Sequence, residues 1–183
     1  QFRIVKAFAG NWLAAHRRAC SLVESIDGVH DSRNCACWSS PARAATPRTS
    51  TFYQTIKLLS NALAAASPEA TIILLSRCHD GFGDADCQSQ ICDFSSMEER
   101  ERALRTDFSI GAYVGFLFAE AAEKHKLILV TDMAPDNFTR TDIKAVRTLD
   151  EALEAARTLN GGTLDMKTIL MPHGASTLPK VGN

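Results

Sequence analysis

The run Thr71-Ile72-Ile73-Leu74-Leu75 decides the fold. It has strand length, is rich in β-branched residues and does not alternate with polar positions. A continuous apolar run of this kind fits a strand covered on both faces, as in a parallel sheet flanked by helices. Working outward, similar runs recur at Ile4 to Phe8, about Cys35 to Ser39, Leu127 to Thr131 and Thr168 to Met171. Helical patterns lie between them. Asn11 caps a helix reaching to about Ser25. Thr51 to Ala66 carries Phe52, Ile56, Leu59 and Leu63 at helical spacing. Met97 to Arg105 reads as a charged, exposed helix, and Ile110 to Lys124 as a long buried one. From Leu149 to Asn160, a capping box (Thr148 with Glu151) starts a helix that Asn160-Gly161-Gly162 stops. Its apolar stripe is Leu149, Ala152, Leu153 and Ala156.

Strand and helix alternate, which predicts an α/β three-layer sandwich with a mostly parallel, Rossmann-like sheet. Residues 1–183 are expected to form one domain. Of the 183 residues, 45% are hydrophobic, enough to fill a core and to exclude a disordered chain. The formal net charge of −1 gives no global pull toward nucleic acid or an anionic membrane surface. The apolar runs are far shorter than the roughly 20 residues a membrane helix needs. Gln1 leads directly into Phe2-Arg3-Ile4-Val5, without the charged and apolar regions of a signal peptide. This reads as a cytoplasmic fragment or processed domain that has lost an N-terminal partner. The six cysteines, at 20, 35, 37, 78, 87 and 92, lack a C-x-x-C pair and read as free thiols in a reducing compartment.

In such sheets ligands sit beyond the carboxyl ends of the strands, so the loops after Ser39, Leu75, Thr131 and Met171 matter most. Ser39 to Ser50 and Asp80 to Asp93 read as irregular loops. After the first comes Thr51-Phe52-Tyr53-Gln54-Thr55-Ile56-Lys57. Gln54 and Lys57 are three apart and share one helix face near its start. A lysine there opposes the helix macrodipole, a cost explained if Lys57 and free backbone N–H groups clasp a carboxylate or phosphate together. The bland alternative is a capping box, Thr51-x-x-Gln54, beside a solvated lysine. Cys78-His79-Asp80-Gly81-Phe82-Gly83-Asp84 reads as a glycine-rich turn at a strand end, and it lacks the closing Glu of a calcium loop. His16 reads as a structural helical histidine; His173 stands at the ligand edge with no acidic neighbour in sequence.

Taken in order, these segments resemble the C-terminal domain of the nickel-dependent lactate racemase family. The resemblance runs through Gly10-Asn11 with Ala15-His16, then Pro47 with Tyr53-Gln54-x-x-Lys57. It continues through Ile72 to Leu75 with Cys78, Asp80, Gly81 and Gly83, and ends in Met171-Pro172-x-Gly174 with Leu178-Pro179. The chain has Ala44-Ala45 where the family usually has a Gly-Gly pair, and His173 where an acidic residue is common. The resemblance implies a two-domain 2-hydroxy acid racemase or epimerase with its site in the interdomain cleft. It implies a nickel-pincer nucleotide cofactor bound mainly by the absent N-terminal domain, which also carries the metal ligands and acid–base groups. Neither catalytic nor metal-binding residues are then expected in this chain, and alone it is expected to be inactive. Gln54 and Lys57 would contact substrate or cofactor, joined by an aromatic of the long helix, Tyr113 first and Phe108 second. Two other readings use the same residues. One is a non-catalytic α/β ligand-binding or assembly module. The other is a thiol-rich metal-binding domain using Cys35, Cys37, Cys78, Cys87 and Cys92.

Overall fold

The computed structural model describes residues 3–31, 36–39 and 50–181. In chain order the elements are α1 (Trp12–Asp27), β1 (Gly28–Asp31), β2 (Ala36–Ser39), a 3-10 turn (Tyr53–Thr55) running into α2 (Ile56–Ala65), and β3 (Thr71–Leu75). Then come α3 (Ala85–Cys92), α4 (Met97–Thr106), α5 (Ile110–Lys124), β4 (Lys126–Val130) and a second 3-10 turn (Pro135–Phe138). The chain ends with β5 (Lys144–Val146), α6 (Leu149–Leu159), β6 (Thr168–Met171) and β7 (Leu178–Val181).

Five strands form a parallel sheet in the order β5-β4-β3-β2-β6. Ile72, Leu74, Leu127 and Leu129 face a core built with α2, α5 and the second 3-10 turn. Ile73 and Ile128 face the other way and pack on Ala152, Ala155 and Ala156 of α6. Successive side chains of a strand point to opposite faces, and here both faces are covered. That is why β3 and β4 carry no polar alternation. The chain steps from β2 to β5 in one direction with α2 and α5 on one face. It then returns through α6 on the opposite face and adds β6 beside β2. Right-handed crossovers in opposite directions require opposite faces, and the result is a three-layer sandwich.

Caps fix the helix starts. Asn11 accepts from Leu13 N at 3.1 Å and Ala14 N at 3.2 Å. Thr148 accepts from Glu151 N at 3.2 Å, while the Glu151 carboxylate accepts from Arg147 N rather than from the cap residue itself.

Three expectations need correction. Ile4 to Phe8 is not a strand: it joins no sheet, and Ile4 and Val5 are exposed. The N-terminal strand is β1, which pairs in parallel with β7 as a separate two-stranded ribbon. Asp80 to Asp93 is not wholly irregular, because Asp84 caps α3 by accepting from Cys87 N at 2.9 Å. Helix α4 is not wholly exposed. Arg100 is buried, and its guanidinium donates to the carbonyls of Gln90, Phe94 and Arg140 at 2.6–2.9 Å. Of the irregular loop expected at Ser39 to Ser50, residues 40–49 lie outside the described residues, as does Cys35.

Candidate functional site

Sheet order reverses between β2 and β6, the kind of switch point at whose carboxyl edge ligands bind in open α/β sheets. The 3-10 turn and the start of α2 stand on this edge, downstream of β2. The loop leaving β3 holds them. Asp80 N donates to Ser50 O at 3.0 Å, Phe52 N to Gly81 O at 2.9 Å, and Tyr53 N to Phe82 O at 3.0 Å. Gly83 has φ +76°, and a Cβ there would strike the Thr51 side chain. Only glycine allows both that backbone conformation and that approach. The glycine turn is therefore structural, as its sequence reading had it.

Phe52 anchors the turn from below. It is fully buried, with ring centroids 4.1 Å from Phe118 and 5.5 Å from both Phe82 and Phe138. Thr55, between Gln54 and Lys57, is also fully buried. Its hydroxyl donates to Thr51 O at 3.1 Å, stands 2.7 Å from Ser76 Oγ and lies 3.6 Å from the buried Cys78 thiol. Ser76 follows β3 directly, so this network ties the helix start to the strand end. Sequence reasoning missed it. The available signal was a pair of small hydroxyl residues, Thr55 and Ser76, at the two ends meeting on one sheet edge.

Lys57 is exposed and Gln54 half-buried. Lys57 Nζ donates to Gln54 Oε1 at 2.6 Å. Among the described residues no carboxylate lies within salt-bridge distance of Lys57. The capping reading is half present: Gln54 N donates to Thr51 Oγ1 at 3.3 Å, but the Gln54 side chain turns to Lys57 instead of back to Thr51. The expectation of free N–H groups fails. Those of Phe52, Tyr53, Gln54, Thr55 and Ile56 all donate within the protein. What this helix start offers a ligand is side chains.

Tyr113 stands in the first turn of α5, 44% exposed, with its ring centroid 6.3 Å from that of Phe108. The two aromatic candidates are thus neighbours, and α5 packs against the 3-10 turn that holds Gln54. His79 is exposed, its Nε2 3.5 Å from the Asp80 carboxylate. Both line a cleft of about 590 Å³ that reaches Asp84, Gln88, Asp132 and Asn137. His173 is exposed, and its carbonyl accepts from Ser176 N and Thr177 N to shape the turn before β7. Cys20, Cys78, Cys87 and Cys92 are free thiols. Among the described residues no three His, Cys, Asp or Glu side chains converge as a metal site.

A family model, the lactate racemase C-terminal domain, matches residues 42–178. The chain belongs to that family. The lactate racemase of Lactiplantibacillus plantarum is 27% identical over 97% of this chain and 42% of its own length. That of Thermoanaerobacterium thermosaccharolyticum is 24% identical over 96% of this chain and 42% of its own. The solved lactate racemase apoprotein from Thermoanaerobacterium thermosaccharolyticum superposes with a TM-score of 0.77 at 22% identity, covering 91% of this chain and 40% of that one. That likeness establishes the fold. The chain thus spans about two fifths of the length of the curated relatives it matches. The matched span contains Gln54, Lys57 and Tyr113. Among the described residues no helix is long and apolar enough to cross a membrane.

Proposed function

We propose that this chain, residues 1–183, is the C-terminal domain of a two-domain, cytoplasmic 2-hydroxy acid racemase or epimerase of the lactate racemase kind. In this reading it closes the cleft over substrate and cofactor and is inactive alone. One observation carries it: Lys57 stands exposed and, among the described residues, without a carboxylate partner on the ligand edge of the sheet, beside Gln54, inside the family-matched span. An uncompensated cation at the positive end of a helix is a standing cost, and a bound anion relieves it.

The donor chemistry fits a substrate carboxylate or the anionic groups of a nickel-pincer nucleotide. Lys57 Nζ would hold one oxygen and Gln54 Nε2 another. Tyr113 would shield the pair from water at the cleft wall. When bound, that nucleotide would supply a reversible acceptor for the hydride on the hydroxyl-bearing carbon, so that the carbon could lose its configuration. In this reading the nickel ligands belong to the N-terminal domain that the family resemblance implies.

The test is racemisation of 2-hydroxy acids by the isolated chain and by the longer parent. The isolated chain gives no turnover and the parent gives turnover. Lys57→Ala in the parent lowers kcat/KM by on the order of tenfold to a hundredfold, the worth of a charge-assisted hydrogen bond, with the thermal midpoint unchanged. Turnover by the isolated chain, or a fully active Lys57→Ala parent, overturns the proposal. A parent that binds hydroxy acid through Lys57 without racemising it would instead be a binding module.

A further inference from the structure

Helix α1 carries chemistry that the cleft does not use. His16 and Cys20 lie one turn apart on one helix face, both exposed. The Cys20 Sγ stands 3.7 Å from each ring nitrogen of His16. Among the described residues neither side chain has another polar partner. A zinc ion bound to thiolate at about 2.3 Å and imidazole at about 2.0–2.1 Å, at the tetrahedral angle, sets its two ligand atoms about 3.5 Å apart. The pair is therefore already at ligand–ligand separation. Its spacing needs no backbone movement, only rotation of two exposed side chains.

We propose that His16 and Cys20 form a surface site for a borderline-soft divalent cation of the zinc class. His16 binds as the neutral imidazole. Cys20 loses its proton to solvent and binds as the thiolate. Two waters complete the tetrahedron. Both ligands stand on one helix, so the second joins at high effective concentration and the pair binds on the order of a hundredfold more tightly than either side chain alone.

The test titrates the full chain, reduced and free of chelator, with Co²⁺ as the spectroscopic probe and Zn²⁺ as competitor. A thiolate-to-cobalt band grows to one equivalent, and Zn²⁺ abolishes it. About one proton is released per metal bound. Cys20→Ser removes the band. His16→Ala weakens Co²⁺ binding about a hundredfold. Cys35→Ser/Cys37→Ser leaves both the band and the affinity unchanged. Circular dichroism of each variant shows an unchanged fold, since both α1 residues are exposed. The proposal is overturned if the wild type gives no saturable band, if the band survives Cys20→Ser, or if His16→Ala binds as tightly as wild type.

Discussion

Replacing Thr55 by Val isolates the network that seats the candidate site. Valine keeps the branched shape and removes the hydroxyl. Three contacts vanish: the donation to Thr51 O at 3.1 Å, the 2.7 Å contact with Ser76 Oγ and the 3.6 Å contact with the Cys78 thiol. With the Thr55 proton given to Thr51 O, Ser76 is the donor in the 2.7 Å contact, so it loses that acceptor while its oxygen keeps the donation from the Cys78 thiol at 3.4 Å. The Thr51 carbonyl loses a partner in a half-buried position. Each net hydrogen bond is worth about 1 kcal/mol, and a buried group left without a partner costs about 1–3 kcal/mol. The expected loss is about 2–3 kcal/mol, a large fraction of the roughly 5–15 kcal/mol that holds a domain. Urea unfolding reads it directly. With a slope of about 2 kcal/mol/M, the midpoint falls by about 1 M while the slope holds. Ser76→Ala completes a double-mutant cycle whose coupling is about 1 kcal/mol. A midpoint shift equivalent to less than about 0.5 kcal/mol, or no coupling with Ser76, refutes the reasoning; the hydroxyl would then only fill space.

Gln54→Glu gives Lys57 an intrahelical ion-pair partner worth about 0.2–0.5 kcal/mol; the isolated chain keeps or slightly gains stability by thermal melt, while the longer parent loses affinity for a hydroxy acid carboxylate. Gly83→Ala forces a left-handed backbone and a clash with Thr51, costing about 2–4 kcal/mol in urea unfolding. Burial, aided by the Asp84 and Cys92 charges, pushes the Cys87 thiol up to about 12 from an ordinary 9.0. The unfolded chain therefore loses that proton first as pH rises, so this thiol leaves denaturation midpoints unchanged below pH 9 and lowers them from pH 9 toward 12. Iodoacetamide at mildly alkaline pH labels exposed Cys20 quickly and Cys87 only after denaturation, as peptide mass spectrometry will show.

The sheet's centre was legible because β3 and β4 are covered on both faces, which suppresses alternation and leaves an unbroken apolar run. Helix α6 was legible because its cap, stripe and stop are all local. The ribbon of β1 and β7 was not, since Gly28 pairs with Leu178 and no local pattern records a partner 150 residues away. The opposite failure is Ile4 and Val5, apolar enough for a strand yet without one to pair with. Helix α3 was hidden by its brevity: only Cys87, Gln90 and Ile91 of its eight residues are buried. Arg100 sits in a charged run and was read as surface. Backbone carbonyls of Gln90, Phe94 and Arg140 take its protons, and carbonyl partners leave no trace in side-chain identity.

At the candidate site the i, i+3 spacing of Gln54 and Lys57 was legible, but what the pair presents was not. A lysine ammonium can only donate, so the Gln54 atom 2.6 Å from Nζ is the oxygen. The amide NH₂ is then turned away from Lys57. The backbone N–H groups of the turn are all committed to protein acceptors. The face that remains carries the further protons of Nζ and the two of Gln54 Nε2, and both groups are donors. Under the proposed function, this pairing of donors with one positive charge would favour an acceptor-rich anion over a cation or a neutral donor. Directed hydrogen bonds lose strength steeply with angle. Phe52 in its aromatic nest and Thr55 in its hydroxyl network fix the backbone that carries Gln54 and Lys57 relative to the sheet edge, so under the proposed function an arriving carboxylate would have only the two side chains to order.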